Sequence, residues 1–300
     1  MGEKSTVYDS AIKALEWGIE ELKRAFGETQ ASNKADPLVL TAYRLARAGN
    51  IMSMNSPLVC STFKPIAVAV SIDQEETPSR ATNWYYAPRS HFPKPRVVPS
   101  GAWQSYWQEL KSFLPSLPQG QQLNYVSLAA YLDRLAVLLG WFPALAYDGE
   151  TSSFVSQYSV MHLAAALAVC LSGFDKKRLE RLAQQSDLSR CKEAIARLVK
   201  VDISGIQAFI YRIVEPRHEM ERKRASKRLR GRSFHLTLLN RVLGDWLLYR
   251  LGLPPTNLFQ DSGGVIEMLL PNEKEVFDRL HSAFEEMEKA LWDTFQGSLG

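Results

Sequence analysis

Residues 225–253 read ASKRLRGRSFHLTLLNRVLGDWLLYRLGL. A dense basic cluster surrounds one glycine, Gly231, and an apolar helical pattern follows it. Charge kept only for solubility is scattered along a chain, whereas this charge is gathered. From Arg217 to Arg232 eight residues are basic and two acidic, while residues 201–300 as a whole balance at 14 of each sign. The spacing predicts a helix from Ser226 or Gly231 to about Arg250. In that reading Gly231 permits close backbone approach and Ser233 caps the first turn. The free N–H groups of the turn then attract an anion, to which Arg230 and Arg232 add forked donors. Arg222, Lys223, Arg224, Lys227 and Arg228 extend the basic surface. A phosphate or an RNA backbone suits such a place; a merely solvated face is the plain alternative.

Working outward, the flanking segments change period. Leu198–Phe209 (LVKVDISGIQAF) opens as a short strand and turns at Ser204–Gly205. Asp202, at the strand end, either orients a metal or a basic side chain, or caps the turn. After the basic helix, Gly263–Gly264 marks a tight hairpin. Val265–Leu270 follows as a strand ending at Pro271, and Glu273–Phe295 as a helix with Val276, Leu280, Phe284, Met287 and Leu291 on one face. The order strand, helix, strand, strand, helix is a nearly complete split βαβ unit, stopping before a further strand, with its helices on one sheet face.

The first two thirds of the chain read differently. Helical periodicity covers 8–27, 38–48, 104–114, 123–139, 156–171, 175–184 and 189–200. Seven prolines punctuate 50–100, where Pro65–Ile72 predicts one strand. Trp84, Tyr85 and Tyr86 sit near Arg80, Arg89, Lys94 and Arg96, so that Tyr85 and Arg89 could stack on and pair with single-stranded nucleic acid. The alternative is a surface loop pinned by its aromatics. Apolar content of 46% and net charge +4 describe an ordinary globular chain. No apolar run approaches the roughly 18 residues of a membrane span, so no membrane partner is expected. Cys60, Cys170 and Cys191 form no CxxC pair, and none of the five histidines lies in an HxxxH or HExxH pattern. The pattern therefore nominates no catalytic residue and no metal ligand, and a reducing cytoplasm is the expected location.

VDISGIQAFIY, then ASKRLRGRSFHLTLLNRVL, then NLFQDSGGVIEMLLPN, in that order across about residues 198–295, resemble the first palm domain of the large signature subunit of type III CRISPR effector complexes, closest to the Csm-type branch. The resemblance implies an α+β chain with an N-terminal helical HD-like domain and a ferredoxin-like palm. The implied boundaries are 1–195, with a Pro-rich insertion near 50–100, and 196–300. It extends weakly into the helical half, where Ser159 and Val160 stand at the family's usual Asp-His pair and Tyr43 at a usual Asp. The HD-like domain is thus expected to be a remnant without DNase activity. The resemblance also implies half of a nucleotide pocket, completed by a second palm that carries a GGDD-type metal site. Asp202, Ser204, Gly205, Arg230, Gly231, Arg232, Ser233, Gly263 and Gly264 are the nucleotide-facing or supporting candidates. ATP with Mg2+ would bind only in the two-palm assembly, and this chain alone would bind no cofactor. The implied partners are other effector subunits, guide RNA, target RNA and a second-palm polypeptide. A stand-alone single-stranded RNA-binding module and an inactive scaffold are the rival readings.

Overall fold

The computed structural model describes residues 2–25, 28, 36–47, 84–85, 96–97, 102–140, 156–184, 194–211 and 219–299. The expected strand at 65–72, Arg89 and most of the Pro-rich stretch lie outside the described residues. Two units emerge: one comprises residues 1–8, 169–173 and 192–300, the other residues 9–168 and 174–191.

The second of these units is helical. Its elements are α1 (Gly2–Ala25), α2 (Pro37–Arg47), α3 (Ala102–Lys111), α4 (Tyr125–Leu139), α5 (Gln157–Leu171) and α6 (Lys176–Gln184), the ends of α1 and α5 belonging to the other unit. Two-residue strands β1 (Trp84–Tyr85) and β2 (Arg96–Val97) pair antiparallel. Local chemistry starts the helices where the chain offers short polar side chains. Asn124 caps α4 reciprocally with Ser127, each side chain accepting the other's backbone N–H at 3.0 Å. Asp175 accepts the Arg178 N–H at 2.7 Å to start α6. Leu128, Leu132, Leu135 and Leu139 recur at three to four residues along α4 and are buried together with Leu15, Leu22, Tyr43 and Trp107. In α5, Leu163 to Ala168 are all buried, which explains a run with no polar face.

The other unit is a three-stranded antiparallel sheet with helices. Its elements are β3 (Ala196–Asp202), α7 (Ile206–Tyr211), α8 (Glu219–Leu251), β4 (Leu258–Ser262), β5 (Val265–Pro271) and α9 (Lys274–Phe295). The strand order is β3-β5-β4. β5 runs antiparallel to both neighbours, so β3 and β4 are parallel with β5 between them, the split β-α-β arrangement. The register sets Val199 against Met268 and Val201 against Ile266. Ile266, Met268 and Leu270 share one face and are fully buried. Both long helices cover that face. A Cβ on Gly244 of α8 would lie 3.1 Å from Leu258 and 3.4 Å from Ile266, and Phe277 of α9 lies under the Arg197 guanidinium at 4.2 Å. Val276, Leu280, Ala283, Met287 and Leu291 form the buried stripe of α9. α8 closes as a Schellman motif, Leu253 N–H reaching Leu248 C=O at 2.9 Å and Gly252 N–H reaching Tyr249 C=O at 3.1 Å.

Two expectations are corrected here. The segment 189–200 is not a helix to its end: Ala196 onward is strand, because Val199 and Val201 complete the β5 ladder. The basic helix does not begin at Ser226 or Gly231. α8 already runs from Glu219, and Gly231 and Ser233 lie well inside it. Residues 219–230 are rich in Glu, Lys, Arg, Leu and Ala, whose helix propensity outweighs one glycine worth about 1 kcal/mol.

These placements predict opposite effects for two glycines. Gly231 sits exposed in mid-helix, and a Cβ there would meet nothing within 4 Å. Gly231→Ala should therefore raise stability by about 0.5–1 kcal/mol. Gly264 has φ +86°, and a Cβ there would lie 2.0 Å from Ile206 Cδ1. Gly264→Ala should lower stability by about 1–3 kcal/mol. Denaturant unfolding of the two variants, followed by circular dichroism, checks both signs.

Candidate nucleotide-facing site

The site forms where β3 leaves the sheet. The Asp202 register partner is Val265, which also pairs with Ser262 across the β4–β5 turn. One residue further on, Ile203 N–H donates to Gly264 C=O at 2.7 Å, fastening the turn after β3 to the hairpin. Gly263 and Gly264 both have positive φ, +68° and +86°, as a two-residue type I′ turn requires. Space over Gly263 is open, whereas Gly264 is closed over by Ile206. Gly205 has φ +79°, and a Cβ there would lie 2.5 Å from the Ser298 carbonyl oxygen. Gly205 and Gly264 are therefore glycines for packing reasons, and Gly263 is the one that leaves backbone bare. Asp202, Ser204 and Gly263 are exposed around this end of the sheet.

Under this turn lies a small apolar cluster of Ile203, Leu236 and Leu299, with Ile206, Phe209, Ile210 and Phe295 against it. Phe209, His235 and Phe295 meet with ring centroids 5.7–6.1 Å apart. The cluster carries α7 against α8. Arg232 secures the contact by donating from Nη1 to the carbonyls of Phe209 (3.1 Å) and Ile210 (3.2 Å), its guanidinium 5.8 Å from the Phe209 ring. These carbonyls belong to the last turn of a helix, where a cation is electrostatically favoured.

The expected anion-binding helix entrance at Gly231–Ser233 is overturned. Backbone N–H groups inside a helix bond to the preceding turn and offer nothing to a ligand. Ser233 does not cap; its carbonyl accepts from Thr237 Oγ1 at 3.1 Å. What the basic stretch presents is side-chain charge: Lys227, Arg228 and Arg230 are exposed on α8. Arg222, Lys223 and Arg224 continue the same helix, and Tyr85 lies in β1. The structure thus joins Asp202, Ser204, Gly205, Gly263 and Gly264 in one place and connects Arg232 to it through α7.

Sequence reading missed the residues that brace the hairpin. Asn240 is buried on the inner face of α8. With its amide turned so that the oxygen faces the turn, it accepts from the N–H groups of Gly264 (3.0 Å) and Val265 (3.2 Å). Arg241 bridges Asp245 (2.9 Å) and Asp261 (3.2 Å), tying α8 to β4. The available signal was Asn240 itself, a polar residue at a helix position whose neighbours Leu236 and Leu247 face the core.

In the helical unit, the positions compared with an Asp-His pair are otherwise used. Ser159 N–H donates to Ser156 Oγ at 3.1 Å, and the two hydroxyls are 2.8 Å apart at the start of α5. Val160 is buried. Tyr43 is fully buried and donates to the Ala14 carbonyl at 2.8 Å, burial pushing its phenol well above the usual range. Among the described residues no three His, Cys, Asp or Glu side chains are grouped to hold a metal ion. None of the described helices is long and apolar enough to cross a membrane.

Comparison with known proteins gives the site its context. Residues 195–300 match the family model of the Csm1 subunit domain B. The Cas10/Csm1 single-strand-specific deoxyribonuclease (subtype III-A) of the CRISPR system of Mycobacterium tuberculosis is 31% identical over 173 residues, 56% of this chain and 20% of that protein. Its counterpart from Enterococcus italicus is 38% identical over 108 residues, 36% of this chain and 13% of that protein. The matched segments thus span a fifth or less of these relatives' length. The crystal structure of a Csm1-Csm4 cassette in complex with pppApA superposes with a TM-score of 0.59 at 18% identity, covering 98% of this chain and 44% of that one. The apo cassette gives 0.55 at 20% identity, covering 100% and 43%. The helical half and the sheet half thus share the fold of those Csm1 chains. By sequence the chain is similar to Cas10/Csm1 of subtype III-A, with residues 195–300 matching the Csm1 domain B, and by fold it resembles the solved Csm1-Csm4 cassettes.

Proposed function

We propose that this chain is a component of a type III RNA-guided antiviral effector complex, in which residues 196–300 act as a first palm and supply half of a nucleotide pocket. The observation that carries the reading is the Ile203–Gly264 hydrogen bond. It holds the strand-end turn, with Asp202 and Ser204, beside the bare backbone of Gly263, giving a polar edge that a nucleotide can approach closely. Arg230, with Lys227 and Arg228 on the same helix, supplies positive charge for phosphates. Arg232 supports from beneath by holding α7 rather than by touching the ligand. Solved relatives of this fold are cassettes of Csm1 with Csm4 in complex with pppApA, AMPPNP or ATP, which supports nucleotide and subunit contacts here. The second half of the pocket, with the carboxylates that hold Mg2+, would come from a second palm. On this reading the chain does not polymerise ATP by itself, and it works in the cytoplasm.

Residues 1–195 are read as the HD-like domain, without nuclease chemistry. Tyr43, Ser159 and Val160 supply a buried phenol, a hydroxyl bonded to the capping Ser156 and a core side chain where metal ligands would be needed. The exposed cations of α8, with Tyr85 and Arg89, would meet guide or target RNA, whose phosphates they could neutralise.

Two measurements test these assignments. ATP titrated against the chain mixed with a second-palm polypeptide should bind, and ATP against the chain alone should not. Arg230→Ala should weaken that binding about tenfold with no change in melting temperature, the loss of one charged hydrogen bond. Arg232→Ala should lower the melting temperature as well, because two carbonyls of α7 lose their partner. Salt-sensitive binding of oligonucleotide RNA without ATP binding in the mixture would favour the RNA-binding module instead. For the helical unit, the chain with Mn2+ should leave single-stranded DNA intact, and the double substitution Ser159→Asp with Val160→His should not restore cleavage. Metal-dependent cleavage by the unaltered chain would reject the remnant reading.

A further inference from the structure

Along α1, Glu16, Ile19, Glu20 and Lys23 recur at three to four residues and share one face of the helix. That face is separate from the buried stripe of Ala11, Leu15 and Leu22. It borders a cleft of about 690 Å³ that lies wholly within the helical unit. α3 and α4 supply further walls through Trp107 and Tyr131. The chain beyond α3 adds Leu114, Pro115 and Leu117, proline there keeping the backbone from continuing as helix. The lining is mostly apolar with a few polar groups, and the volume falls in the range of small-ligand sites. Tyr43, Ser159 and Val160 are not part of it, so the cleft is distinct from the positions compared with metal ligands.

The polar groups decide what the cleft can hold. Two of its three carboxylates are already answered: Glu20 by Lys23 Nζ and Glu28 by Lys111 Nζ, each at 2.6 Å. Glu28 also accepts from Trp107 Nε1 at 3.1 Å, and these bonds, that of Lys111 foremost, hold its carboxyl below the usual range. Glu16 is the carboxylate left over. Among the described residues it forms no ion pair and accepts only from Gln119 Nε2, at 3.4 Å. Tyr131 is 5% exposed, and its hydroxyl has no hydrogen-bond partner among the described residues. Burial, and after it the charge of Glu16, push that phenol up to about 12, so it stays protonated at neutral pH. The same coupling sets the free carboxylate near the free hydroxyl.

A ligand must therefore bring positive charge to Glu16, a hydrogen bond to the Tyr131 hydroxyl and apolar surface to the rest. An anion would meet an unpaired carboxylate. A neutral apolar molecule would leave both polar groups unanswered. A metal ion needs several free oxygen ligands, and only Glu16 is uncommitted. We propose that the cleft binds an organic monocation, a primary ammonium group on a flat apolar body, with the ammonium held by Glu16 and the Tyr131 oxygen and the body against Ile19, Trp107 and Leu117. A phenol oxygen accepts from an ammonium N–H, and the aromatic rings of Trp107 and Tyr131 add attraction for a cation. The site is independent of the nucleotide reading and of the remnant reading.

Tryptamine, tryptophol and indole-3-propionate share one ring system and end in a positive, a neutral and a negative group. In isothermal titration calorimetry of the full chain at neutral pH and low salt, tryptamine should bind with a dissociation constant on the order of 100 μM. Tryptophol should bind at least about tenfold more weakly, and indole-3-propionate should not bind. Glu16→Gln, an exposed change that keeps the side-chain shape, should leave the melting temperature unchanged and weaken tryptamine about fivefold or more. Tyr131→Phe removes only the hydroxyl and should weaken it about threefold. Glu180→Gln, exposed on α6 and outside the cleft, should leave binding as it was. Equal binding of the amine and the alcohol, no binding of tryptamine, or tryptamine binding undiminished by Glu16→Gln would overturn the proposal.

Discussion

The sheet unit depends on how β5 is satisfied. This strand is buried along most of its length, so both of its edges must find backbone partners and its apolar face must find helices. β3 and β4 supply the edges, and α8 and α9 supply the cover. Because β3 and β4 are parallel and separated in sequence by α8, that helix must cross the sheet for β3 to pair with the other edge of β5. The hairpin, the strand-end turn and the helix face are therefore fixed together. The Ile203–Gly264 hydrogen bond extends this ladder one step past the strand, and the candidate site exists because of that step.

The arginines of the basic stretch divide by environment. Arg230 stands exposed to solvent. Arg232 is half-buried and spends donors on the end of α7. Two residues apart on a helix they point to different sides, since two steps turn the side chain by about 200°. Exposed charge and structural charge thus coexist within one motif. Asn240 and Arg241 do comparable work from the inner side of the same helix, bracing the hairpin through its backbone and through Asp261. The helical unit shows the converse economy. Tyr43 and Val160 fill volume at positions compared with metal ligands, and Ser159 joins a cap.

Much of the fold was legible. The alternation in Leu198–Asp202, the double glycine at 263–264 and the periodicity of 273–295 each encode a local element through short-range sterics and a single buried face. The errors were at helix boundaries and in the short helix α7, which the reading passed over. Gly231 read as punctuation because glycine is costly in helices, yet about 1 kcal/mol is small against a 33-residue helix held by packing. The end of 189–200 read as helical because its apolar spacing fits either period; pairing with β5 decided for strand.

Sequence by itself determined which segments turn, which faces are apolar and where positive charge collects, because these follow from side-chain size, branching and charge at short range. Only the tertiary structure decided which glycines are packed shut and which is bare, which arginine is exposed and which is anchored, and which polar side chain braces the hairpin. Those roles depend on atoms brought close from distant parts of the chain: Ile206 over Gly264, Ser298 over Gly205, Phe209 beneath Arg232. No local pattern carries that information, since the same residue in the same helix is functional or structural according to what packs against it.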